Sequence, residues 1–334
     1  MLPRRSTRLT PPRDSRQPSR FTYVLVTPAR NEQAFIEETI QCMIRQTRTP
    51  LRWVIVDDGS TDRTADIVRP YALTYEWIEL VRLPIRIERH FAAKVHAFNA
   101  GHARLAALTY DVIGNLDADV SFGPDYFAFL LERFEQMPGL GVAGTPFSEG
   151  GFQYDYRFVS IDHVSGACQL FSRECFADIG GYTPIKDGGV DLVAVTTARM
   201  KGWTTRTFPE RPYRHRRKIG TAKTGVLKAR FRVGQQDYRL GSHPLWELFR
   251  ALYQMTLRPY ALGGLLILLG YLWAAVQRRE RPISRELVTF RRSEQMRRLN
   301  VALRRYGVMP LQTTAAERRT AEPLDADSPG ARRR

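Results

Sequence analysis

The sequence predicts an α/β fold in which a mostly parallel sheet is wound between helices. Short apolar segments rich in β-forming residues, such as residues 23–27, alternate with segments of helical periodicity up to residue 136. A strand–helix–strand alternation places parallel strands side by side through right-handed crossovers. Polar clusters follow three of these strands, at residues 28–32, 57–60 and 117–119. Because such sheets bind ligands beyond the carboxyl ends of their strands, this edge is the predicted site.

Each predicted element has its own sequence signal. The strands are continuous apolar runs, as expected for strands buried on both faces, and the helices carry apolar residues three and four positions apart. Ser60 or Thr61 is the expected cap of the second helix. In chain order the predictions are strand 23–27, helix 31–45, strand 51–56, helix 61–68, strand 79–83, helix 92–107, strand 112–115, helix 125–136, strand 158–170 and helix 191–201.

Composition excludes several protein classes. The 334 residues are 43% hydrophobic, which is enough for a real core and excludes wholesale disorder. Three cysteines without paired or metal-type spacing argue against a disulfide scaffold or a zinc ribbon. Three segments are strongly basic, residues 1–20 (+5), 211–239 (+9) and 277–334 (+8), and the rest of the chain carries −5, which gives the net charge of +17. Basic patches of this kind suit nucleic acid, anionic lipid or phosphate-bearing substrates.

Residues 259–276 are the membrane candidate. They contain no charged residue, but eighteen residues lie at the lower limit for crossing a bilayer, which takes about 20. Arg258 and Arg278 flank the segment, and basic flanks disfavour moving either end across. Three interpretations stay open: a re-entrant or interfacial helix, a single span, and a buried helix of a soluble domain. Residues 284–306 follow as a basic amphipathic helix that either lies on an anionic leaflet or packs on the domain.

Asp117 and Asp119 directly follow the strand at residues 112–115. Two carboxylates that flank a small residue can both point into a crevice and attract a hard divalent cation, which binds phosphate oxygens as well. Such a cation would neutralise charge on a departing diphosphate. A lone Asp-x-Asp is a weak signal because most are turns or caps, but a position at the end of a buried strand strengthens it.

Asp57 and Asp58 close the second strand. Their carboxylates can accept hydrogen bonds from a base N–H or a ribose hydroxyl, and Gly59 permits a tight turn. Helix capping explains Ser60 but not two adjacent acids at the mouth of a buried strand. No Walker sequence occurs, which argues against P-loop proteins.

Three stretches together resemble glycosyltransferase family 2 over roughly residues 21–210. They are Val26-Thr27-Pro28-Ala29-Arg30-Asn31-Glu32, then Val54-Ile55-Val56-Asp57-Asp58-Gly59-Ser60-Thr61-Asp62, then Asn115-Leu116-Asp117-Ala118-Asp119. The resemblance implies a GT-A type fold, nucleotide-diphosphate sugar donors, inversion at the anomeric centre, and Mg²⁺ or Mn²⁺ as the cofactor.

The resemblance also implies donor-binding residues. According to the resemblance, Asp57 and Asp58 hold the base and ribose, and Asp117 binds both the nucleotide sugar and the metal. Lys94 lies near the nucleotide, although Ala93 stands where the family usually has glycine. The implied first nucleotide-contacting loop contributes Pro28, Arg30 and Glu32.

The implied catalytic base is Asp191. The family has a Glu-Asp pair at a helix start, and Gly188-Gly189-Val190-Asp191 aligns with it, with Val190 in place of the glutamate. Asp187 remains the rival. Asp119 and Asp117 are the implied metal ligands. His215 is a candidate third ligand, because neutral imidazole suits Mn²⁺ tolerably.

The basic segment after His215 has two interpretations. Arg216, Arg217 and Lys218 either clamp a diphosphate of the donor or of a lipid-linked acceptor, or they form a solvated basic loop. The Gln-x-x-Arg-Trp sequence of processive synthases is absent, which favours transfer of one sugar.

The leading hypothesis is therefore an inverting glycosyltransferase at the cytoplasmic face of the membrane that acts on a lipid-linked or cell-envelope glycan. A catalytically weak, membrane-bound nucleotide-sugar-binding scaffold is the main alternative, because Val190 replaces the family glutamate. A nucleic-acid-binding protein would not explain the acidic strand ends, so no nucleic-acid partner is expected. A nucleotidyltransferase would need a Gly-rich phosphate loop near the N-terminus, and none is seen.

The predicted domain organisation has four parts. Residues 1–20 are a disordered basic arm, since they hold four prolines and no apolar run. Residues 21–245 are the GT-A type catalytic domain, residues 246–309 are membrane-associated helices, and residues 310–334 are a disordered tail.

Overall fold

A computed structural model of the chain describes residues 20–85, 91–148, 160–216 and 225–305. The predicted basic arm and tail therefore lie outside the described residues almost entirely. The strands are β1 (Tyr23–Ala29), β2 (Arg52–Asp57), β3 (Ile78–Arg82), β4 (Val112–Leu116), β5 (Val120–Ser121), β6 (Leu140–Gly144), β7 (Phe147–Ser148), β8 (Cys168–Ser172), β9 (Thr204–Thr207) and β10 (Tyr213–His215).

The helices divide between the sheet and the C-terminal part of the chain. The first six follow the strands, and the last four pack largely on one another. They are α1 (Ile36–Ile44), α2 (Thr64–Thr74), α3 (Phe91–Ala103), α4 (Tyr126–Gln136), α5 (Arg173–Asp178), α6 (Val190–Met200), α7 (Val226–Arg239), α8 (Pro244–Met255), α9 (Leu262–Val276) and α10 (Arg285–Arg305).

Seven strands form the main sheet in the order β3-β2-β1-β4-β8-β6-β9, and β5, β10 and β7 form a small second sheet. Strands β3, β2, β1 and β4 are parallel, whereas β8 runs antiparallel to β4 and β6. The register places Ala29 beside Asp57 and Val26 beside Asn115. The carboxyl ends of β1, β2 and β4 therefore meet at one edge, which confirms the predicted mostly parallel sheet.

Both faces of the sheet are covered, as the unbroken apolar strands predict. Side chains alternate along β1: Leu25 faces a core that includes α1 and α4, and Val24 and Val26 face a second core that includes α3 and α6. Gly101 lets α3 approach the second face closely, since a Cβ there would lie 2.6 Å from Val26 Cγ1. The two cores fix the strand ends relative to one another.

Two local predictions were wrong. The second helix begins at Thr64 and has no side-chain cap from Ser60 or Thr61. Instead, the Ser60 hydroxyl accepts a hydrogen bond from the Asn31 backbone N–H at 2.9 Å, and so ties the β1 loop to the β2 loop. The strand predicted at residues 158–170 begins only at Cys168, and residues 160–167 form turns and loop; residues 158 and 159 lie outside the described residues.

The C-terminal helices pack on one another and on the sheet domain. Helix α9 contacts α7 and α8, and α10 packs back on α6 and α8 with Leu287 and Met296 buried. Both guanidinium arms of Arg199 in α6 bind the Glu294 carboxylate of α10, at 2.8 and 3.0 Å. No helix in the described part of the chain is long and apolar enough to cross a membrane.

Candidate active site

The first wall of the site is the pair of loops that follow β1 and β2. Asn31 has a left-handed backbone with φ +56°, and its side-chain oxygen accepts a hydrogen bond from the Thr61 N–H at 2.9 Å. The Asp58 N–H donates to the Ala29 carbonyl at 2.8 Å. An Arg30 nitrogen lies 4.0 Å from an Asp58 carboxylate oxygen, and both side chains are largely buried. The loops therefore hold a guanidinium and a carboxylate side by side.

Asp57 is fixed at the end of β2. Its carboxylate accepts the Ser60 backbone N–H at 2.9 Å and Arg82 Nε at 3.3 Å, while the side chain is almost fully buried. Gly59 between them has φ +67°, and a Cβ at that position would lie 2.7 Å from the Ile85 Cα. The turn thus requires glycine for both its conformation and its space.

Pro28 and Glu32 complete the first loop. Pro28 pairs with Val56 in the β1–β2 register. The Glu32 N–H donates to the Thr64 hydroxyl at 2.8 Å, and its carbonyl accepts the Phe35 and Ile36 N–H groups at the start of α1. The loop backbone is therefore tied to the start of α2 as well as to α1.

Asp117 lies at the centre of the site. Lys94 Nζ lies 2.5 Å from its Oδ1, and the Asn115 amide donates to the same oxygen at 3.0 Å. Burial by itself would lower the pKa of Lys94, but the Asp117 carboxylate, aided by Asp191 and Asp119, raises it above its ordinary value. Lys94 is accordingly a permanent cation within the electrostatic field of all three acids.

Asp117, Asp119 and His215 form a group that can hold a metal ion. One ligand atom from each lies within 4.8 Å of the others, and His215 Nε2 is 3.7 Å from Asp119 Oδ1. The antiparallel pairing of β10 with β5 brings His215 beside Val120, the residue after Asp119. Carboxylate and imidazole donors around one point suit a cation bound at about 2.1 Å, so these residues fit Mg²⁺ or Mn²⁺.

Helix α1 supports this cluster through two consecutive residues. The buried Thr39 hydroxyl lies 2.9 Å from the Ala118 carbonyl and 2.8 Å from the Val120 carbonyl, so its one proton is shared between the two acceptors that flank Asp119. The Glu38 carboxylate pairs with Arg216, whose N–H also donates to the Asp119 carbonyl at 2.9 Å. Arg216 is thus held by the Glu38 carboxylate and by the backbone carbonyl of Asp119.

Asp191 and its rival Asp187 have different surroundings. Asp191 lies in the first turn of α6 and packs on the Gly166 backbone, where a Cβ would lie 2.8 Å from the Asp191 Cβ. Its charge acts on Lys94. Asp187 is exposed and pairs with Arg239 of α7. Asp191 therefore lies beside Gly166, whose carbonyl accepts the Asn115 amide, and Asp187 lies beside Arg239.

Two residues of the site escaped the sequence analysis. Asn115 bridges the site, since its amide donates to Asp117 and, at 2.6 Å, to the Gly166 carbonyl. Burial lowers the pKa of His163, which Asp191 opposes, and the His163 Nδ1 is buried without a hydrogen-bond partner among the described residues. Asn115 could have been recognised as a polar residue in a buried strand, whereas nothing in the sequence links His163 to Asp191.

Arg217 and Lys218, which were predicted to clamp a diphosphate, lie outside the described residues.

Part of the chain matches a known protein family. Residues 24–165 match the model of glycosyl transferase family 2. The match supports the resemblance to glycosyltransferase family 2 over these residues, which are about two fifths of the chain. The matched residues include both loops of the first wall and the Asp117–Asp119 stretch, and they end before Asp191 and His215.

Curated relatives match this chain over part of their length. One is the validoxylamine A glucosyltransferase of Streptomyces hygroscopicus subsp. limoneus, 32% identical over 109 residues, which are 32% of this chain and 22% of the relative. Another is the poly-beta-1,6-N-acetyl-D-glucosamine synthase of Staphylococcus epidermidis, 26% identical over 170 residues, which are 45% of this chain and 39% of the relative. The chain thus spans about a fifth to two fifths of the length of these relatives.

Among solved structures, the chain resembles a mannosyltransferase from Pyrobaculum calidifontis, solved in complex with GDP-mannose and Mn²⁺. The TM-score is 0.53 at 22% sequence identity, over 88% of this chain and 79% of that one. At this identity the likeness establishes the fold, which is the predicted α/β arrangement of the GT-A type.

Proposed function

We propose that the protein transfers one sugar, with inversion, from a nucleotide-diphosphate sugar to an acceptor hydroxyl. The observation that carries the proposal is the position of Asp191. It lies in the electrostatic surroundings of Lys94, and Lys94 contacts Asp117 of the metal-capable cluster. This arrangement supports a base acting close to the binding site of the leaving diphosphate.

The donor half of the site supports a nucleotide. The paired loops after β1 and β2 present the Asp57 and Asp58 carboxylates, which are acceptors for a base N–H and ribose hydroxyls. Arg30, beside Asp58, supplies a charge-assisted donor. The Lys94 ammonium stabilises negative charge that develops on the diphosphate. A divalent cation, Mg²⁺ or Mn²⁺, held by Asp117, Asp119 and His215 would neutralise further charge on the diphosphate oxygens.

The proposed reaction is a single displacement. The Asp191 carboxylate accepts the proton of the acceptor hydroxyl, and the hydroxyl oxygen forms a bond to the anomeric carbon. The bond between that carbon and the diphosphate oxygen breaks at the same time, and its electron pair leaves with the nucleoside diphosphate. Attack from the face opposite the leaving group inverts the configuration, through an oxocarbenium-like transition state.

The acceptor is proposed to be a lipid-linked or cell-envelope glycan, at the cytoplasmic face of the membrane. A polysaccharide synthase among the relatives supports this acceptor class. The absence of the Gln-x-x-Arg-Trp sequence supports the addition of a single sugar.

The second candidate is a weakly active nucleotide-sugar-binding scaffold. It is favoured by Val190, where the family has glutamate. Val190 packs against apolar side chains of the core that α3 and α6 share.

Donor hydrolysis tests the proposal without a known acceptor. Purified protein is given UDP-, GDP- and dTDP-sugars with Mg²⁺ or Mn²⁺, and released nucleoside diphosphate is measured. We expect one donor to be hydrolysed, EDTA to stop the reaction, and Asp119→Ala to lower the rate by about 100-fold or more, because a site for the leaving charge is lost. Asp66→Ala, an exposed acid on α2, is the matched control with an unchanged rate.

The two candidate functions give different results in this assay. Hydrolysis of one donor that is lost in Asp119→Ala supports the transferase. Metal-dependent binding of a nucleotide sugar without turnover supports the scaffold. Neither binding nor turnover of any donor would contradict both.

A further inference from the structure

Helix α9 has an apolar surface on all sides, yet only half of it is covered by protein. Its inner side includes Gly264, Ile267 and Gly270, which are buried. Its outer side presents Leu265, Leu269 and Trp273, of which 42–52% is exposed. Helices at the surface of soluble proteins carry polar residues on their outer side, and helices that are apolar all round are normally buried. The outer side of α9 therefore lacks a partner within the described part of the chain.

Helix α8 extends the same surface. Leu245, Leu248 and Leu252, at a spacing of three and four residues, are 43–54% exposed. The buried side of α8 meets α7 through the Arg250–Asp237 ion pair, and the buried side of α9 meets α7 where Ile267 contacts Gly234. Both outer sides thus point away from α7. We call these three leucines and Leu265, Leu269 and Trp273 the apolar face.

The charges around the apolar face have one dominant sign. Arg258 lies before α9, and Arg278 and Arg279 lie after it; all three are exposed. Glu280 is the only exposed acid in the described segment 244–281, since Glu247 is buried. A second copy of the chain packed on this face would bring arginines against arginines, which costs free energy. An anionic surface would pair with them instead.

The dimensions of α9 fit a helix that lies in the plane of a lipid surface. Fifteen residues rise about 22 Å, less than the ~30 Å thickness of a bilayer's hydrocarbon core. Tyr260 and Trp273 expose 62% and 52% of their surfaces, and such amphipathic rings favour the headgroup region. A recess of about 610 Å³ beside Tyr260, lined by Val226, Leu227 and Pro259 with Arg258, adds an apolar pocket next to a guanidinium.

We propose that the apolar face of α8 and α9 docks the protein on an anionic lipid bilayer, with both helices in the interfacial plane. Leucines and Trp273 enter the boundary between headgroups and acyl chains, and the flanking arginines bind lipid phosphates. This surface is independent of the proposed reaction, since none of its residues belongs to the candidate active site. It specifies which side of the molecule faces the membrane.

Co-sedimentation of the full chain with vesicles tests the proposal. The vesicles contain phosphatidylcholine alone, or phosphatidylcholine with about 30 mol% phosphatidylglycerol as the anionic lipid. We expect stronger binding to the anionic vesicles and a blue shift of tryptophan fluorescence that Trp273→Phe removes. Leu265→Gln/Leu269→Gln should lower the partition coefficient by about tenfold or more, because two large apolar groups no longer enter the lipid.

A matched double variant controls for loss of surface leucines. Leu51→Gln/Leu73→Gln removes two leucines that are 45% and 83% exposed on the sheet domain, and we expect wild-type binding. Circular dichroism melting of both variants checks folding without requiring any enzymatic activity. A failure of vesicle binding thus says nothing about donor hydrolysis, and the reverse is also true.

Three results would overturn the proposal. The first is equal vesicle binding by the wild type and Leu265→Gln/Leu269→Gln, which would assign the binding to basic segments elsewhere in the chain. The second is absence of binding to either vesicle. The third is a dimer in sedimentation velocity that only Leu265→Gln/Leu269→Gln dissociates, which would identify the apolar face as an interface between two copies.

Discussion

Asp191 and Asp187 are four positions apart in the sequence; Asp191 packs on the Gly166 backbone, whereas Asp187 is exposed and pairs with Arg239. We predict that Asp191→Asn lowers the turnover number for donor hydrolysis by about 10²–10⁴-fold with a nearly unchanged KM for the donor, because the amide cannot accept the proton while the donor loops are untouched. Initial rates over a range of donor concentrations measure both constants.

Asp187→Asn is the comparison for this prediction. It removes an exposed ion pair with Arg239, and such pairs contribute little, so the rate should stay within a few-fold of wild type. If Asp187→Asn strongly lowered the turnover number and Asp191→Asn left it near the wild-type value, the base would be Asp187.

Asp57, Asp58, Asp117 and Asp119 could be predicted from the sequence because they lie at the ends of strands β2 and β4 and the motif spacing is local. Asp191, at the start of helix α6, was indicated by the family resemblance instead. Asn115 and His163 could not be assigned roles in the same way. The Asn115 amide binds a carbonyl 51 positions away in the chain, at Gly166, and His163 approaches Asp191 only through the folding of β8 and α6. Their roles depend on tertiary contacts that have no sequence periodicity.

Helix α9 packs closely on α7 because glycines stand at the contact. A Cβ at Gly270 would lie 2.0 Å from the Phe231 carbonyl of α7, which is backbone and cannot rotate away. We predict that Gly270→Ala lowers the free energy of unfolding by about 1–3 kcal/mol, because the two helices must separate. Urea unfolding followed by circular dichroism measures the change.

Gly263→Ala, in the same helix, is the matched control. A Cβ there would meet its nearest atoms at 3.7 Å, an ordinary contact. Alanine should therefore raise stability by up to about 1 kcal/mol through its better helix propensity. Equal effects of the two substitutions would mean that α9 does not contact α7 through its backbone.

Apolar patterning predicts strands and helices that face a large core, and fails where the signal is mixed. The first four strands were predicted within two residues of their observed ends. Helix α7 was missed because it is strongly basic and the segment around it reads as a loop. Helix α8 lies mostly within residues 246–309, which were predicted as helices without individual bounds. Ser60 has the chemistry of a cap but binds Asn31, since the β1 loop offers its hydroxyl a donor that a sequence does not reveal.

The stability of the whole molecule should depend on Glu247. This side chain is fully buried at the contact of α7, α8 and α10. Burial and the neighbouring Asp237 raise its pKa to about 8, against the opposing effects of Arg250 and Arg291. In the unfolded chain a glutamate has a pKa of about 4.3. The folded state therefore binds the additional proton between these values, so the contribution of Glu247 to stability is full below pH ~4.3 and is lost as the pH rises towards 8.

We predict that Glu247→Gln matches the wild type at pH 5 and is more stable at pH 8, because the amide stays neutral in the buried site. The difference should grow by on the order of 1 kcal/mol per pH unit. Urea unfolding between pH 5 and 8.5 measures it, with exposed Glu76→Gln as the control that shows no such trend. A constant difference across this range would show that Glu247 is ionised throughout.

At the scale of the whole chain, charge and hydropathy predicted a membrane-associated segment but not its form. Residues 259–276 read as one apolar stretch in sequence. The structure shows a shorter helix with a covered side and an exposed side, a distinction that depends on the glycine contacts with α7 and α8.

Helix α1 holds the backbone around Asp119 and His215, and this affects how tightly a cation could bind there. Glu38 and Thr39 are neighbours on one rigid element, and they hold Arg216 and the two carbonyls around Asp119. The segments that supply Asp119 and His215 are therefore ordered by folding itself. Little conformational entropy remains to be lost when a ligand arrives, so most of the intrinsic coordination energy is retained as affinity.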